Sequence, residues 1–587
     1  MDSRSGISAH ASKIHSMALM LALALGAVST ARAQTAAPAP APSLATTIAG
    51  DHPDEAADFV SGPEISASKT LRMQISLALH NNDALENLIE AQQDPASPQY
   101  HRWLASGEFN ARFGPTQGEV SAVAAWLTGR GFKVESASMA KRAIVFSGAA
   151  AAAESVFKVK IHTSATGALY ANLGDPSVPA AVAPLVGSIR GLSNILRAHP
   201  NIRYVPNASA SPDVTIGGAT HFGPNDLYVF YDQTPPTSSS NNGSGADCIA
   251  VIEDSNFDDA SVAAFDTQFD LPTISLTSKL SSNGGDPGAN PDEIEALLDV
   301  EYAHAAAPGV PIFAYIGDDA TSSDGDGLVD AGEQAVSDDT CGAISISFSF
   351  CGGSKKFYSH ELNGFLQQAA AQGQAVFVAT GDEGAAGYSF DKKADACVEA
   401  NNRNVNELSA DTHVTAVGGT EFDPIYNSDG DDVGNVAETA WNDQFGASGG
   451  GNSRIFGKPK FQKGIPKIGT KRAVPDVSLA ASPNNPGFFL GSSGQVVCCI
   501  GGTSIGTPYW AGIAQLAAQR GGQRRIGNLN TALYAIYHGG GTGIRDVTQG
   551  SNSFGGVVGF SAVVGYDRAS GLGTPDIDLL LGAIAGE

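Results

Sequence analysis

The feature that most constrains the fold is a series of short apolar strands that alternate with helical segments after residue 206. The strand candidates share a run of apolar and small residues, and they are Cys248–Ile252, Ile312–Tyr315, Ala343–Ser347 and Ala375–Ala379. Apolar strands separated by helices are typical of a mostly parallel sheet that is covered on both faces. The sequence therefore predicts an α/β fold, with its chemistry at the carboxyl ends of the strands.

The N-terminus predicts an export signal over residues 1–33. A basic start and an apolar run precede Ala31-Arg32-Ala33, which is a small-residue cleavage site. A membrane anchor is the alternative, but the apolar run is too short to cross a bilayer. We therefore expect a secreted protein, extracellular or periplasmic.

With 587 residues the chain is longer than one hydrophobic core usually spans, so further domains are expected. Residues 34–65 are predicted to be an Ala/Pro-rich spacer. Residues 66–205 mix helical and strand-like patterns and predict an α+β domain, and residues 206–587 hold the α/β domain. The polar, Pro-bearing stretch 205–212 predicts a linker that a protease can cut.

The charge balance argues against two classes of partner. Lys plus Arg total 34 against 60 for Asp plus Glu, so the formal net charge is -26. Such an acidic surface repels phosphate backbones and anionic lipids, so we expect no nucleic acid and no membrane as partners. The protein is expected to be a monomer.

All six cysteines lie after the first third of the chain. An exported protein meets oxidising conditions, so disulfides are expected. Zinc is the alternative, but no Cys-x-x-Cys or His-x-x-x-His spacing accompanies the cysteines. The spacing leaves the connectivity open, with Cys341–Cys351 and Cys351–Cys397 as possible pairs.

Ser504 lies in a glycine-rich turn between the strand-like Val496–Ile500 and the apolar helix Tyr509–Ala518. A serine at a helix N-terminus meets backbone donors and the positive end of the helix dipole, which suits a nucleophile. The alternative is a helix cap. Gly502-x-Ser504-x-Gly506 also matches the nucleophile elbow of α/β-hydrolases, but no Asp or Glu lies between Ser504 and the last histidine, His538, so the required order fails.

Carboxylates are the remaining candidates for the base. Asn290-Pro291 predicts a helix start, and the helix is expected to continue through Ala305. Glu295 and Asp299 are four residues apart, so they lie on one face of this helix. Like charges at this spacing repel, which raises a pKa and suits a general base, although a solvated acidic face is the alternative.

Asp382 follows the predicted strand Ala375–Ala379 in a glycine-rich turn. A protonated carboxyl at this place could donate a hydrogen bond to a developing oxyanion. Taken alone, the residue is better interpreted as an ordinary turn-forming Asp.

An ordered set of motifs resembles a known family. The set comprises Glu295-x-x-x-Asp299, Gly381-Asp382-x-Gly384, Gly501-Gly502-Thr503-Ser504-x-x-x-Pro508, Ser448–Ser453, Pro475–Ser478 and, in the N-terminal region, Asp94–Leu104. Their order and approximate spacing are similar to those of the sedolisin family, serine-carboxyl peptidases made as pro-kumamolisin-like proenzymes. The resemblance implies a subtilisin-like fold, with residues 66–205 as an inhibitory prodomain that is removed near residues 205–212.

The resemblance also implies a role for each polar residue. Ser504 would be the nucleophile, Glu295 its base, Asp299 the support of Glu295, and Asp382 the oxyanion donor. The backbone of Ser347, Phe348 and Ser349 would pair with an extended substrate. Phe348 departs from the tryptophan that the family often has there, and it has no donor to connect the acid Glu253 with the site.

A calcium site near the C-terminus is implied in the same way. Carried over by position, the Ca²⁺ ligands are Asp546, the carbonyls of Val547, Val563 and Gly565, and Asp567, with Val563 standing where glycine is usual. Two carboxylates plus carbonyls suit a hard cation. Two Asp-bearing turns without metal are the alternative.

Residues 322–333 have a spacing like that of an EF-hand loop, including Gly327 and Glu333. Ser322 stands at the first position, where Asp is nearly obligatory, so a solvated acidic loop is the favoured interpretation.

The expected function is that of a secreted, self-processing serine-type endopeptidase that hydrolyses proteins or peptides through an acyl-enzyme. Free Asp and Glu titrate near 4, so a carboxylate base and a protonated oxyanion donor coexist most easily in acid, and activity is expected to peak at roughly pH 3–5. Two alternatives are an α/β-hydrolase-type esterase and an inactive peptidase-like binding module. The second predicts a broken set of polar residues, whereas all four are present.

Overall fold

The computed structural model describes residues 45–205, 221–282, 285–318, 326–427, 432, 434 and 436–586. The predicted signal peptide (1–33), the first part of the spacer, the linker from residue 206 and the first part of the acidic segment 322–333 lie outside the described residues. Among the described residues, no helix is both long enough and apolar enough to span a membrane.

Residues 45–205 form an α+β region, which begins before the predicted boundary at residue 66. Its elements, in chain order, are β1 Ala45–Thr47, β2 Thr70–Leu77, α1 Asn82–Gln93, α2 Ser106–Phe113, α3 Gln117–Gly129, β3 Lys133–Ser138, β4 Ala143–Ala149, α4 Ala150–Phe157, β5 Ile161–Thr163, β6 Tyr170–Asn172, β7 Ser177–Pro179, β8 Val186–Arg190, β9 Arg197–Pro200 and β10 Arg203–Tyr204. Within the predicted spacer, β1 pairs with β7, and Ile48 and Phe59 are buried. Strands β3-β4-β2-β8 form an antiparallel sheet in that order. Ile75, Phe146 and Phe157 are fully buried in the core between this sheet and the helices, and each such side chain stabilises the fold by roughly 1.5–3 kcal/mol.

The C-terminal region holds the larger set of elements. They are β11 His221–Phe222, α5 Pro224–Phe230, β12 Cys248–Glu253, α6 Asp259–Gln268, β13 Leu276–Leu280, α7 Glu293–Ala306, β14 Ile312–Ile316, α8 Asp326–Asp338, β15 Cys341–Ile346, β16 Phe348–Cys351, α9 Asn363–Ala371, β17 Ala375–Ala379, β18 Tyr388–Asp391, β19 Ala396–Glu399, β20 Val414–Glu421, β21 Thr439–Ala440, β22 Gly451–Gly457, β23 Lys471–Val474, β24 Val477–Ala480, β25 Gly487–Ser492, β26 Gln495–Gly501, α10 Thr503–Arg520, α11 Asn530–His538, β27 Ile544–Arg545, β28 Thr574–Pro575 and α12 Ile577–Ala585.

A mostly parallel sheet forms the centre of this region and confirms the predicted α/β fold. The strand order is β13-β14-β12-β15-β17-β20-β21, β24 also pairs with β20, and β21 alone among these strands is antiparallel to its neighbour. Ile249 and Val251 of β12 pack on the face that α7 and α10 cover, and Ala250 and Ile252 pack on the face that α8 and α9 cover. Both faces of the strand are therefore buried, because successive side chains point to opposite sides.

The predicted elements differ from the observed ones mainly at their ends. Helix α7 begins at Glu293, just after Asn290, whose Oδ1 accepts the N–H of Asp292 at 2.8 Å. Helix α10 begins at Thr503 and not at the predicted Tyr509, and it runs through Pro508. The prediction began after the proline because proline interrupts helices, whereas the packing of this fully buried segment overrides that preference.

The disulfides are Cys248–Cys341, Cys351–Cys397 and Cys498–Cys499. The alternative pair Cys341–Cys351 is therefore wrong, and the pair Cys351–Cys397 is confirmed. Cys341 begins strand β15 and lies opposite Cys248 on the parallel neighbour β12. Cys351 ends the next strand, β16, which pairs with β9. The strand order that decides the pairing is not visible in the spacing.

The interpretation of residues 322–333 as a solvated acidic loop is wrong for the part that the structure describes. Residues 326–333 belong to helix α8, and the side chains of Asp330 and Glu333 are buried. Asp330 accepts from Arg190 of the N-terminal region at 3.2 Å. Burial raises the pKa of Glu333 to about 8, helped by the negative charges of Glu361 and Asp330. This acidic face thus contacts the N-terminal region and not solvent.

Candidate active site

Two helices bring three of the predicted site residues together. Glu295 and Asp299 lie on α7, and Ser504 lies in the first turn of α10, which packs against α7 on the same face of the sheet. All three side chains are fully buried. The four-residue spacing places the two acids one above the other, as predicted.

The turn before Ser504 requires glycine. Gly502 has a φ of 117°, and a Cβ atom on it would lie 2.1 Å from the Asn201 carbonyl oxygen and 2.8 Å from Oδ2 of Asp382. The Ser504 backbone N–H donates to the Asn201 carbonyl at 3.3 Å, and its hydroxyl donates to the Ser347 carbonyl at 3.3 Å. The amide of Ser504 therefore already binds a peptide carbonyl.

The acids on α7 are part of a buried cluster of three. Burial raises the pKa of Glu295 well above its ordinary value, the negative charge of Asp299 adds to the rise, and the nearby Ser504 hydroxyl opposes it. The pKa of Asp299 is raised to about 7 by burial, although Ser347 and Ser345 donate to its oxygens at 2.7 and 3.2 Å.

Glu253, at the end of β12, is the third member of this acid cluster. It is fully buried, and burial together with the charges of Asp299 and Glu295 raises its pKa well above the ordinary value. Phe348 was expected to leave Glu253 without a connection to the site. The structure places Glu253 beside Asp299 directly, so no donor at residue 348 is needed for this coupling.

Asp382 follows β17 and faces the first turn of α10. Its Oδ1 accepts from the backbone N–H and from the hydroxyl of Thr503, both at 2.9 Å. Its Oδ2 has no hydrogen-bond partner among the described residues, and the Arg203 guanidinium lies 3.6 Å from it. Burial raises the pKa of Asp382 to about 6, although the Arg203 charge and the Thr503 donors oppose the rise.

An extended segment of the N-terminal region, residues 197–205, runs through this site. Strand β9 pairs antiparallel with β16, with Phe348 opposite Pro200 and Ser349 opposite His199. Strand β10 pairs antiparallel with β26, with Arg203 opposite Gly501. The predicted substrate strand 347–349 is thus covered by a chain segment in the geometry of an added β-strand.

The five predicted calcium ligands lie in two neighbouring loops. Asp546 Oδ2 accepts the N–H of Gly565, and Asp567 Oδ2 accepts the N–H of Val563, both at 2.8 Å. Burial raises the pKa of both carboxyls. Neither aspartate forms an ion pair among the described residues, although the charge of Arg568 lies near enough to Asp567 to interact with it. The carbonyl of Val547, which accepts weakly from the Ser570 hydroxyl at 3.5 Å, adds to a donor set that fits a hard cation.

Comparisons with known proteins agree on one family. The family model described as "Pro-kumamolisin, activation domain" matches residues 57–195. Sedolisin from Pseudomonas sp. (strain 101) is 28% identical over 532 residues, which are 88% of this chain and 87% of that protein. Kumamolisin from Bacillus sp. (strain MN-32) is 28% identical over 556 residues, which are 90% of this chain and 94% of that protein.

A solved structure adds to this agreement. Pseudomonas sedolisin, a serine-carboxyl proteinase complexed with two molecules of pseudo-iodotyrostatin, matches with a TM-score of 0.54 at 25% identity, covering 63% of this chain and 100% of that one. The chain is thus similar to the sedolisin family over most of its length. It is a serine-carboxyl peptidase made as a proenzyme, so the predicted class of enzyme is confirmed and the esterase alternative is wrong.

Sequence reasoning missed several residues at the site of this proenzyme. Arg203 donates to the Phe445 carbonyl and the Tyr388 hydroxyl, both at 3.0 Å, and forms an ion pair with Glu383 beside Asp382. Asn201 is fully buried next to Ser504. The sequence held one signal for Arg203, because this arginine lies two residues before the predicted linker at residues 205–212.

Proposed function

We propose that this proenzyme matures to a secreted, acid-active endopeptidase in which Ser504 is the nucleophile and Glu295 its base. Asp299 supports Glu295, and Asp382 donates to the oxyanion. The observation that carries the proposal is the peptide carbonyl of Asn201, which binds the Ser504 N–H at 3.3 Å on the side of the site where Asp382 lies. Residues 1–33 have the pattern of an export signal, which supports secretion.

The first half of the reaction uses these groups in order. Ser504 Oγ attacks the substrate carbonyl carbon while its proton passes to Glu295. The carbonyl oxygen becomes negative and is stabilised by the Ser504 N–H and by the proton of Asp382. The peptide bond then breaks, Glu295 returns its proton to the leaving amine, and the acyl group stays on Ser504. Water releases the acyl group by the same steps.

The buried acid cluster suits Glu295 to this task. Three mutually repelling carboxyl groups cannot all ionise, so we expect them to share protons and to titrate as one coupled unit. A proton that arrives at Glu295 relieves the repulsion with Asp299, which makes Glu295 a better acceptor than an isolated carboxylate. Asp382 lies next to Thr503, its charge also raises the pKa of Glu295, and it keeps its own proton below its pKa of about 6.

The pH profile of the matured enzyme on a denatured protein tests this proposal. Asp382 must hold a proton, so activity is expected to fall as pH rises through the pKa of Asp382, about 6 in the proenzyme. The alkaline limb of the profile is therefore expected near pH 6. The maximum is expected in the acid range, below the pKa of Asp382, and the acidic limb is set by the pH at which Glu295 loses the proton that the coupled acids share.

Samples held at each pH and then assayed at pH 4 separate reversible titration from denaturation. A maximum at pH 8 would rule out the carboxyl mechanism, because a histidine base, and not a protonated acid, works best there.

We further propose that Asp546 and Asp567, with the carbonyls of Val547, Val563 and Gly565, hold Ca²⁺. Asp546 and Asp567, which form no ion pair among the described residues, and the neighbouring carbonyl of Val547 support this proposal, because carboxylates plus carbonyls are the oxygen ligands that Ca²⁺ prefers. The ion would stabilise the loops before α12 and would take no part in the bond-breaking steps.

Calcium removal is expected to lower the melting temperature of the enzyme by several degrees. An ion that binds the folded state alone adds about 2.7 kcal/mol at a concentration a hundred times its dissociation constant. The measurement is thermal unfolding at neutral pH with and without a strong chelator. Asp546→Asn should melt at the lower temperature under both conditions, whereas Asp423→Asn, at an exposed position, should keep the response. Identical melting of the wild-type enzyme in both buffers, and of Asp546→Asn, would mean that no ion is bound.

A further inference from the structure

We infer that the Asn201–Ile202 bond is the first bond that the proenzyme cuts, and that Ser349 makes the site select an asparagine side chain before the cut. This inference rests on the proposed function of Ser504 and names both the maturation bond and the preferred substrate. The predicted cut at residues 205–212 would then be a later trimming step or would not occur.

The direction of the segment supports this assignment. On the N-terminal side of Asn201, strand β9 pairs antiparallel with β16, and on the C-terminal side β10 pairs antiparallel with β26. The backbone N–H of Asn201 donates to the Ser347 carbonyl at 3.0 Å, and the Val205 N–H donates to the Cys499 carbonyl at 3.0 Å. The chain is therefore held on both sides of one residue, as a substrate would be.

The reacting groups surround the carbonyl of that residue. The Ser504 N–H donates to the Asn201 oxygen at 3.3 Å. The hypothetical Cβ of Gly502 lies 2.1 Å from this oxygen and 2.8 Å from Asp382 Oδ2, so the two oxygens can be no more than about 5 Å apart. Glu295 lines the same cleft as Pro200 and Ile202, the two neighbours of Asn201. A base in the cleft that holds the bond, and donors at the carbonyl oxygen, are the groups that acyl transfer needs.

The side chain of Asn201 is recognised by direct contacts. Its Oδ1 accepts from the Ser349 hydroxyl at 2.9 Å, and its Nδ2 donates to the Ser347 carbonyl at 3.0 Å. The residue is fully buried. A Cβ on Gly381 would lie 3.4 Å from Ser349 Oγ and 3.8 Å from Asn201 Oδ1, so glycine leaves space for the amide there. An apolar side chain in this pocket would leave the Ser349 hydroxyl without its partner, which is how a polar pocket rejects apolar analogues.

The cut follows the chemistry given above, with no other reactant than water. Ser504 Oγ bonds to the Asn201 carbonyl carbon, its proton passes through Glu295 to the Ile202 nitrogen, and the carbon–nitrogen bond breaks. Water then hydrolyses the ester, which leaves a carboxylate on Asn201 and an amine on Ile202. Because strands occupy the cleft both before and after this bond, we infer cleavage within chains and not removal of short N-terminal peptides.

The first experiment follows maturation of the full-length chain. The protein is purified at neutral pH and shifted to pH 4, and samples are quenched for intact mass and N-terminal sequencing. The earliest new N-terminus is expected to be Ile202, with a partner fragment that ends at Asn201. An earliest cut at any other bond would overturn the inference while leaving the proposed peptidase function intact. Absence of any cut, and of activity on other proteins, would overturn both.

The second experiment measures selectivity and does not depend on folding of a variant prodomain. Matured enzyme is given a peptide of residues 197–205 and the same peptide with Asn201→Leu. The asparagine peptide is expected to have a kcat/KM at least about 10-fold higher, and this ratio should fall below about 3-fold for Ser349→Ala enzyme. Ser239→Ala, at an exposed position, should keep the wild-type ratio. Equal rates on both peptides, or an unchanged ratio in Ser349→Ala, would overturn the role of Ser349.

Discussion

Ser504→Ala is expected to accumulate as the full-length proenzyme at acid pH, under conditions in which the unsubstituted chain processes itself. The substitution removes the attacking oxygen but leaves the backbone N–H that binds the Asn201 carbonyl. Loss of the nucleophile in a serine peptidase lowers kcat on the order of 10⁶-fold. The measurement is the intact mass of the protein over time after a shift to pH 4.

Two controls accompany the Ser504→Ala experiment. Ser239→Ala replaces an exposed serine and should process normally. Matured wild-type enzyme added to the Ser504→Ala protein should cut it, which would show that the cleavable segment is intact and that the defect is chemical. Normal self-processing of Ser504→Ala would contradict the assignment of the nucleophile and would favour the alternative of an inactive binding module cut by another protease.

Asp382→Asn is expected to move the alkaline limb of the pH profile upward. In the proposed mechanism the donor to the oxyanion is a carboxyl proton, which is lost as pH rises through the pKa of Asp382, about 6. An amide donates at every pH, so the variant should keep a donor above that pKa. Asp382→Ala has no donor and should lose activity by roughly 10²–10³-fold across the range.

The comparison is made as kcat/KM against pH for the three matured enzymes on one peptide. The matched control is Asp423→Asn, which removes an exposed carboxylate and should keep the wild-type limb. An unchanged limb in Asp382→Asn would show that another group titrates there. A limb that moves in the control as well would indicate a general effect of charge.

Much of the site could be predicted because its parts are local. Asn290 and Pro291 predict the start of the helix. The four-residue spacing of Glu295 and Asp299 then predicts that both lie on one face of it. Asp382 follows the strand that the apolar run Ala375–Ala379 predicts. In each case one element and one turn position the side chain, and both can be recognised from adjacent residues.

What could not be predicted depends on contacts between distant segments. Glu253 joins the acid cluster because β12 and α7 meet in the fold, and residue 348 has no part in it. Arg203 reaches Asp382 across 179 positions of the chain, which no local pattern reveals. Asp330 and Glu333 looked like a solvated loop because their partner, Arg190, lies in the other domain. Pairings of this kind follow from the topology of the sheet and the docking of the N-terminal region.

The crystal structure of the matured enzyme with a peptide aldehyde, grown at acid pH, tests the central claim most directly. An aldehyde accepts a nucleophile but has no leaving group, so the adduct stops at the tetrahedral stage. We predict a covalent bond from Ser504 Oγ to the aldehyde carbon, with Glu295 facing Oγ and the new oxygen between the Ser504 N–H and the Asp382 carboxyl. An aldehyde that is bound to another residue, or an oxygen that points away from Asp382, would contradict the account.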